Sequence, residues 1–381
     1  MKKILYLLLT IVIISAFILT GCGTTETTTQ PTTVATTTAP PATTPQEVIK
    51  LSCANYLPIT HNFTALQESW AKEIMARSNG RVEITYYPGG QLVKAAQVPD
   101  ALEQGIADIA FSHIGYNRGR FPVSEALDLP MGYPTGWVGS HVATDFINEF
   151  KPAEWDSFHL LLVNAGTTAG LMLRDTKVTK LEDLVGKTLR GAGEVASAIA
   201  ALGATPRDIP MGEMYDSVSK GVVDGTLVGI ETLKTFKMGD VCKYTAFAWQ
   251  VGNMYTFYLA MNQAKWDALP ADIQQIFNEV SAEYAEKYAE MWNKIDIAGI
   301  QYSLSIPGNE VFRLSDAEGA RFKAAVQPVL GAYVDAMVAK GYAKSEVEEW
   351  LYYISTRIEY WQAKEAEMDL PSPFDLELPE G

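Results

Sequence analysis

Residue types on which reactive and metal sites depend are scarce in this chain of 381 residues. It has three cysteines and four histidines, without the His-Glu-His or Cys-x-x-Cys spacings typical of metal sites. It also lacks a G-x-S-x-G elbow or another nucleophile motif, which argues against the alternative of an exported enzyme. With a formal net charge of −15, an acidic surface disfavours nucleic acid as a partner. We therefore predict a non-catalytic protein without metal or cofactor.

The N-terminus has the three parts of an export signal. Lys2 and Lys3 form a basic head, an apolar run covers residues 4–18, and the sequence Leu-Thr-Gly-Cys ends at Cys22. The run is about 15 residues long, whereas a spanning helix needs about 20, so an uncleaved membrane anchor is the weaker alternative. The pattern is typical of a bacterial lipoprotein. It predicts a signal peptide over residues 1–21 and lipidation at Cys22, which anchors the protein to a membrane without spanning it.

A segment rich in Thr, Pro, Ala and Gln follows over residues 22–47. It has too little apolar surface to offset its ordering entropy, so we expect a disordered tether reaching about 25–30 Å. Because Lys2 and Lys3 leave with the signal peptide, the net charge falls from −15 to about −17. The protein should reside on the extracytoplasmic face of the cell envelope.

Two cysteines remain after the lipidated one. Cys53 and Cys242 both have apolar neighbours in sequence. An exported compartment permits a disulfide between them, but cysteines in such surroundings are more often separate core residues.

The rest of the chain, about 330 residues, alternates strand and helix patterns and is long enough for two lobes. Strands are predicted over residues 48–53, 82–87, 106–112, 160–163 and 187–190. This order indicates the α/β class with parallel sheet covered by helices. Ligands of such sheets bind beyond the carboxyl ends of strands, which places Asn55, Tyr56, Ser112 and His113 near any pocket.

One apolar pattern with helical spacing extends from Pro270 to Ile295. At 1.5 Å per residue this predicts a rod of about 40 Å, longer than one lobe, so we interpret it as a helix spanning both. A capping box at Ser315 predicts a further helix that ends at Gly341, and a last helix is expected from about Ser345 to Ala366. The predicted division is lobe I over 48–164 plus about 250–285, lobe II over 165–249 plus about 286–366, and a tail over 367–381.

Several short motifs, in order, resemble the solute receptors of tripartite ATP-independent periplasmic (TRAP) transporters, the dicarboxylate-binding DctP-type family. The motifs are GQL at 90–92, GIADIA at 105–110, FP at 121–122, LDLP at 127–130, LEDLVGKTLR at 181–190, LGATP at 202–206, PM at 210–211, GVVDG at 221–225, MN at 261–262, KW at 265–266 and LP at 269–270. The resemblance covers roughly residues 50–365. It implies a two-lobed fold of periplasmic-binding-protein type (class II-like), with mixed sheets flanked by helices and one long helix spanning both lobes.

The resemblance also implies a function. Members of the family bind a carboxylate-bearing solute between the lobes and deliver it to permease subunits in the membrane. A receptor feeding a membrane signalling partner is the alternative. In the family, the arginine closing the strand at Arg190 pairs with the solute carboxylate, for which a planar guanidinium offers two matched donors.

Other positions depart from the family pattern. The asparagine that often follows the Asp-Gly turn is absent, and of the Trp-Glu pair found in some members only Glu231 remains. The sialic-acid-type receptors have a second arginine on the strand preceding that of Arg190, but here the sequence TTAG stands at 167–170, and Arg174 is out of register. The usual acids after Gln91 are also missing. These departures favour a monocarboxylate with an apolar body. Candidate wall residues are Tyr56, His113, Tyr116, Trp137, Trp249 and Tyr255, besides Asn55 and Glu231 as binding candidates.

Overall fold

The computed structural model describes residues 47–167 and 169–381. The predicted signal peptide, Cys22 and the predicted tether up to residue 46 lie outside the described residues. None of the helices in this described part combines the length and the hydropathy that a membrane-spanning segment requires.

Eleven strands form two sheets in the part of the chain that the structure describes. The strands are β1 (Ile49–Asn55), β2 (Val82–Tyr87), β3 (Ile109–His113), β4 (Phe158–Thr167), β5 (Gly170–Leu173), β6 (Thr188–Arg190), β7 (Thr205–Arg207), β8 (Gly225–Val228), β9 (Tyr244–Phe247), β10 (Met254–Asn262) and β11 (Glu310–Arg313). The first sheet has the order β2-β1-β3-β10-β4, and the second has the order β11-β9-β5-β8-β6-β7.

Ten α-helices cover these sheets over the same residues. They are α1 (Asn62–Arg77), α2 (Val98–Glu103), α3 (Gly136–Phe150), α4 (Glu194–Ala201), α5 (Met214–Ser219), α6 (Thr232–Thr235), α7 (Gln263–Asp267), α8 (Ala271–Leu304), α9 (Asp316–Ala339) and α10 (Lys344–Glu367). The α/β class is confirmed.

Both sheets are mixed. Strand β1 lies parallel to β2 and β3, as the strand–helix alternation predicts, but β10 lies antiparallel between β3 and β4. The second sheet repeats this design, because β6 is parallel to β7 and β8 while β5 is antiparallel to β8 and β9. The chain reaches each antiparallel strand by crossing from the other sheet: β10 follows β9 of the second sheet, and β5 follows β4 of the first. Such a connection does not impose a parallel direction.

The long helix is longer than predicted. Helix α8 has 34 residues and is about 51 Å long at 1.5 Å per residue. It contacts α1, α3 and β4 around the first sheet and also α6 and β11 around the second. Trp70 of α1 donates from Nε1 to Ser281 Oγ at 3.1 Å, and Glu231 donates its backbone N–H to Asp296 Oδ1 at 3.2 Å. These contacts tie one rigid element to both sheets, and the spanning helix is confirmed.

The two C-terminal helices pack on different parts of the fold, α9 on α4 and α10 on α3. As predicted, Ser315 caps α9, its side chain accepting from Glu318 N. Helix α10, however, packs on α3 beside the first sheet, where Arg357 and Trp361 both donate to Asp145. The division that places residues from about 286 to 366 in the second lobe stays a prediction.

Both cysteines of the described residues are free and buried. Cys53 lies in β1, where its Sγ accepts from Gln67 Nε2 at 3.1 Å. They are therefore separate core residues.

Candidate functional site

A pocket lies between the two sheets. Seventeen residues line it: Tyr56, Leu57, His61, Phe63, His113, Tyr116, Gly166, Arg190, Ala192, Met211, Val228, Gly229, Glu231, Phe236, Tyr255, Phe257 and Trp292. The segments after β1 and β3 and strand β10 supply one wall. The segments after β6 and β8 supply the other, and α8 contributes Trp292.

Arg190 is the one cation in this lining. It closes β6, is 2% exposed, and donates from Nε to Ile209 O at 2.9 Å, which orients the guanidinium. Among the described residues no carboxylate lies within ion-pair distance of its nitrogen atoms. A buried charge is costly unless it is paired, so Arg190 makes this pocket suited to an anion.

The two histidines of the pocket are neutral at physiological pH. Burial lowers the pKa of His61 to about 4, and its Nδ1 accepts from Phe63 N at 3.2 Å at the start of α1. Burial, with help from the positive charge of Arg190, lowers the pKa of His113 to about 3. Arg190 therefore remains the positive charge of the lining.

Glu231 is also uncharged at neutral pH. The side chain is 4% exposed, and burial raises its pKa to about 8. Asp296 of α8 is buried beside it, and burial followed by repulsion from Glu231 raises the pKa of that carboxyl as well. No basic side chain of the described residues forms an ion pair with either acid. A protonated carboxyl can donate a hydrogen bond, and Glu231 Oε2 has no partner among the described residues.

The rest of the lining is largely aromatic. Phe63 of α1 packs edge to face on Trp292, with ring centroids 4.4 Å apart, and Phe257 lies 5.3 Å from the same indole. Trp292 donates from Nε1 to Asn164 Oδ1 at 3.0 Å. Gly166 leaves room for this indole, because a Cβ there would lie 2.7 Å from its ring. Such walls bind an apolar body and fix its orientation.

Two loops from opposite walls meet beside the pocket. Arg118, which follows Tyr116, pairs with Glu194 at the start of α4 at 2.7 Å and donates to Ser197 Oγ at 3.3 Å. These contacts join the two walls next to the pocket.

The fold and pocket agree with a known family of proteins. The model for bacterial extracellular solute-binding protein, family 7 (DctP), matches residues 55–336, well over half of the chain. The chain belongs to this family. It is thus a TRAP solute-binding protein, of the class that captures a solute outside the cytoplasm and delivers it to membrane permease subunits.

Three relatives illustrate the similarity. The C4-dicarboxylate-binding periplasmic protein DctP of Rhodobacter capsulatus is 26% identical over 271 residues, which cover 66% of this chain and 76% of that one. The crystal structure of a TRAP periplasmic solute-binding protein from Desulfovibrio salexigens, an open complex, has 28% identity and a TM-score of 0.72 and covers 82% and 96% of the two chains. One from Rhodoferax ferrireducens with copurified benzoate has 24% identity and a TM-score of 0.76 and covers 84% and 100%.

The lining includes most, but not all, of the positions that the family resemblance and the sheet rule selected. Arg190, Tyr56, His113, Tyr116 and Glu231 line the pocket, as does Tyr255.

Four other candidates are not among the lining residues. Asn55 lies inside the first lobe, because its amide donates to Gln67 and Tyr86 while its oxygen accepts from Leu57 N at 2.8 Å. Ser112 faces away and donates to Ala95 O.

The two tryptophans among these candidates also lie elsewhere. Trp137 is buried in α3, where it donates to Glu286 at 2.8 Å. Trp249 packs on Phe374 of the C-terminal segment.

Several lining residues were missed by sequence reasoning. Phe63 and Trp292 lie on the buried faces of α1 and α8, and the sequence assigns no pocket role to Met211, Phe236 or Phe257. Helical periodicity identifies an inward face but does not distinguish a core from a pocket wall. The strand pairing of Phe257 with His113 is the signal that locates Phe257, and it exists only in the folded sheet.

Proposed function

We propose that this receptor binds a small monocarboxylate with an apolar body. One observation carries the proposal: Arg190 is buried without an acidic partner among the described residues, in a lining whose other titratable groups are neutral. The lining then has a charge of about +1, which one carboxylate balances. A second carboxylate would have no counter-charge in a desolvated pocket.

The proposed binding mode follows from the chemistry of the walls. The carboxylate pairs with the guanidinium of Arg190, the protonated Glu231 donates a hydrogen bond, and the apolar body packs on Phe63, Phe257 and Trp292. The benzoate copurified with the Rhodoferax ferrireducens protein is a monocarboxylate with an aromatic body, which supports this proposal. The name of the Rhodobacter capsulatus relative points instead to C4-dicarboxylates, so the two classes need a direct test.

A thermal-shift screen of organic acids tests the proposal. A ligand present at 100 times its dissociation constant stabilises the folded state by about 2.7 kcal/mol. Benzoate, phenylacetate and branched-chain 2-oxo acids should raise the melting temperature more than succinate, malate or fumarate. A larger shift with the dicarboxylates would contradict the proposed charge class while leaving the receptor function intact.

We further propose that the mature protein is a non-catalytic receptor held on the extracytoplasmic face of a membrane by lipid on Cys22. The support is the Leu-Thr-Gly-Cys sequence after the apolar run and the family's function as receptors. Cys22→Ser should move the protein from the membrane pellet to the supernatant. Cys242→Ala, which removes a buried free cysteine, is the matched control and should stay with the membranes. A Cys22→Ser protein that still pellets in mild salt would rule out this anchor.

A further inference from the structure

His113 is the buried polar group of the pocket that the proposed function leaves unused. It is 3% exposed and lines the pocket at the end of β3. Neither ring nitrogen has a hydrogen-bond partner among the described residues. Buried polar atoms in native proteins are nearly always paired, so two unpaired nitrogens on one ring call for an explanation.

The ring is held firmly in place. It packs on Tyr116, Tyr255 and Phe257, with centroid distances of 5.0, 4.8 and 5.2 Å. Gly115 is required beside it, because a Cβ at that position would lie 2.4 Å from Cε1 of the imidazole. A side chain fixed by three aromatic rings presents its polar atoms at defined positions, as a specificity group must.

One nitrogen faces a buried acid at slightly more than hydrogen-bond distance. His113 Nε2 lies 3.9 Å from Asp128 Oδ2, and the other oxygen of Asp128 accepts from Thr256 N at 2.9 Å and from Thr256 Oγ1 at 2.7 Å. Asp128 is thus a fixed neighbour on the Nε2 side. Nδ1 has no hydrogen-bond partner among the described residues, and the ring lines the pocket.

We infer that His113 determines which carboxylates this receptor selects, by hydrogen-bonding a neutral polar group, a hydroxyl or a keto oxygen, on the body of the solute. The inference rests on the proposed function, because Arg190 must hold the carboxylate. The solute class is then a hydroxy- or oxo-substituted monocarboxylic acid.

The charge state explains why the group recognised is neutral. Burial and the nearby charge of Arg190 keep the imidazole uncharged, and a neutral imidazole has one donor and one acceptor. A hydroxyl can donate to one nitrogen or accept from the other, and a keto oxygen accepts an N–H. A solute without such a group displaces water from the pocket and leaves His113 unpaired, which should weaken binding about 5- to 150-fold.

Calorimetric titration of the full mature chain with matched acids tests the inference. The pairs are benzoate against 2-, 3- and 4-hydroxybenzoate, and phenylacetate against mandelate. The wild type should bind at least one substituted acid 5- to 150-fold more tightly than its unsubstituted partner. His113→Phe keeps the ring packing and should abolish this preference, whereas His113→Gln should retain part of it because an amide also donates and accepts.

Two controls separate the possible failures. His159→Phe changes a histidine that stacks on Trp266 outside the pocket and should leave every affinity unchanged. Arg190→Ala should weaken both members of each pair alike. Equal affinities within all pairs in the wild type, or an unchanged preference in His113→Phe, would overturn the inference. If Arg190→Ala binds as tightly as the wild type, the proposed function itself fails.

Discussion

The two walls of the pocket differ in what they contribute. The wall from the second sheet has the groups that set charge: Arg190 at the end of β6, and Glu231 beyond the end of β8. The wall from the first sheet has aromatic rings and a neutral histidine, with Tyr56, Tyr116 and Phe257 among them. A solute with a charged end and an apolar body needs both walls, so binding favours the conformation in which the walls are together. It follows that mutations in the second-sheet wall should change the affinity for the carboxylate, whereas mutations in the first-sheet wall should change which apolar bodies are preferred.

Removing the charge of the second wall should have the largest effect. Arg190→Ala leaves a desolvated carboxylate unpaired, which costs about 2–5 kcal/mol, so affinity should fall roughly 30-fold to several thousand-fold. Arg190→Lys should recover only part of this, because an ammonium lacks the planar fork. Calorimetry measures both variants. Arg174→Ala, a change at a surface arginine paired with Asp175, is the control and should bind like the wild type.

The protonation of Glu231 should make binding depend on pH. Above its pKa of about 8, Glu231 gains a negative charge in the pocket, and the dissociation constant of an anion should rise about tenfold per pH unit. Titrations at pH 6–9.5 measure this. Glu231→Gln should remove the dependence, while Glu290→Gln, a change at a surface acid paired with Lys294, should keep it. A wild type with constant affinity up to pH 9.5 would exclude this role.

The same acid should affect the stability of the unliganded protein. Because folding raises the pKa of Glu231 from its ordinary 4.5 to about 8, the unfolded state releases the proton first as pH rises. The contribution of the Glu231 carboxyl to the stability of the folded state is complete below pH 4.5 and is lost as pH rises towards 8. Glu231→Gln cannot ionise and should therefore be more stable than the wild type at pH 7–8, by a few kcal/mol at most. The stability advantage of Glu231→Gln over the wild type should shrink towards pH 5. Denaturant unfolding of both proteins at pH 7.5 and at pH 5 measures this difference.

Changing an aromatic ring of the first wall should affect selection more than charge recognition. Phe257→Leu keeps the site apolar but removes ring stacking, so benzoate should bind about 2- to 12-fold more weakly while acetate is unaffected. Phe146→Leu, in the core of α3 away from the pocket, should lower the melting temperature without changing the benzoate-to-acetate ratio. Equal losses for both acids in Phe257→Leu would mean that this wall does not contact the body of the solute.

The contact that joins the walls should have the smallest effect. The side chain of Arg118 is 58% exposed, so its ion pair with Glu194 is screened by solvent. Arg118→Ala should raise the solute dissociation rate by a factor of about 1.4 to 5, most clearly at low salt. Arg120→Ala is the matched control, because Arg120 pairs with Asp100 and Glu103 on its own side of the pocket. This variant should release the solute at the wild-type rate. Stopped-flow release of solute measures both.

What the sequence determined by itself is mostly local. The spacing of apolar residues predicts α8 and α10, the cap at Ser315 predicts where α9 begins, and the LEDLVGKTLR motif locates the strand that Arg190 closes. These features depend on neighbours within a few residues, so a linear pattern contains them. Even the order of the motifs was sufficient to indicate the family.

Only the tertiary structure decided which side chains face the solute. Asn55 and Tyr56 are adjacent in sequence, yet the amide of Asn55 is bonded within its own lobe while Tyr56 lines the pocket. Trp292 and Trp137 are both buried tryptophans on helices, and one faces the pocket while the other donates to Glu286. That Arg190 has no acidic partner among the described residues, and that Glu231 holds its proton, likewise follow from which residues long-range packing brings near them. Charge state and pocket lining depend on distances between residues far apart in the chain, and these distances exist only once the sheets have formed.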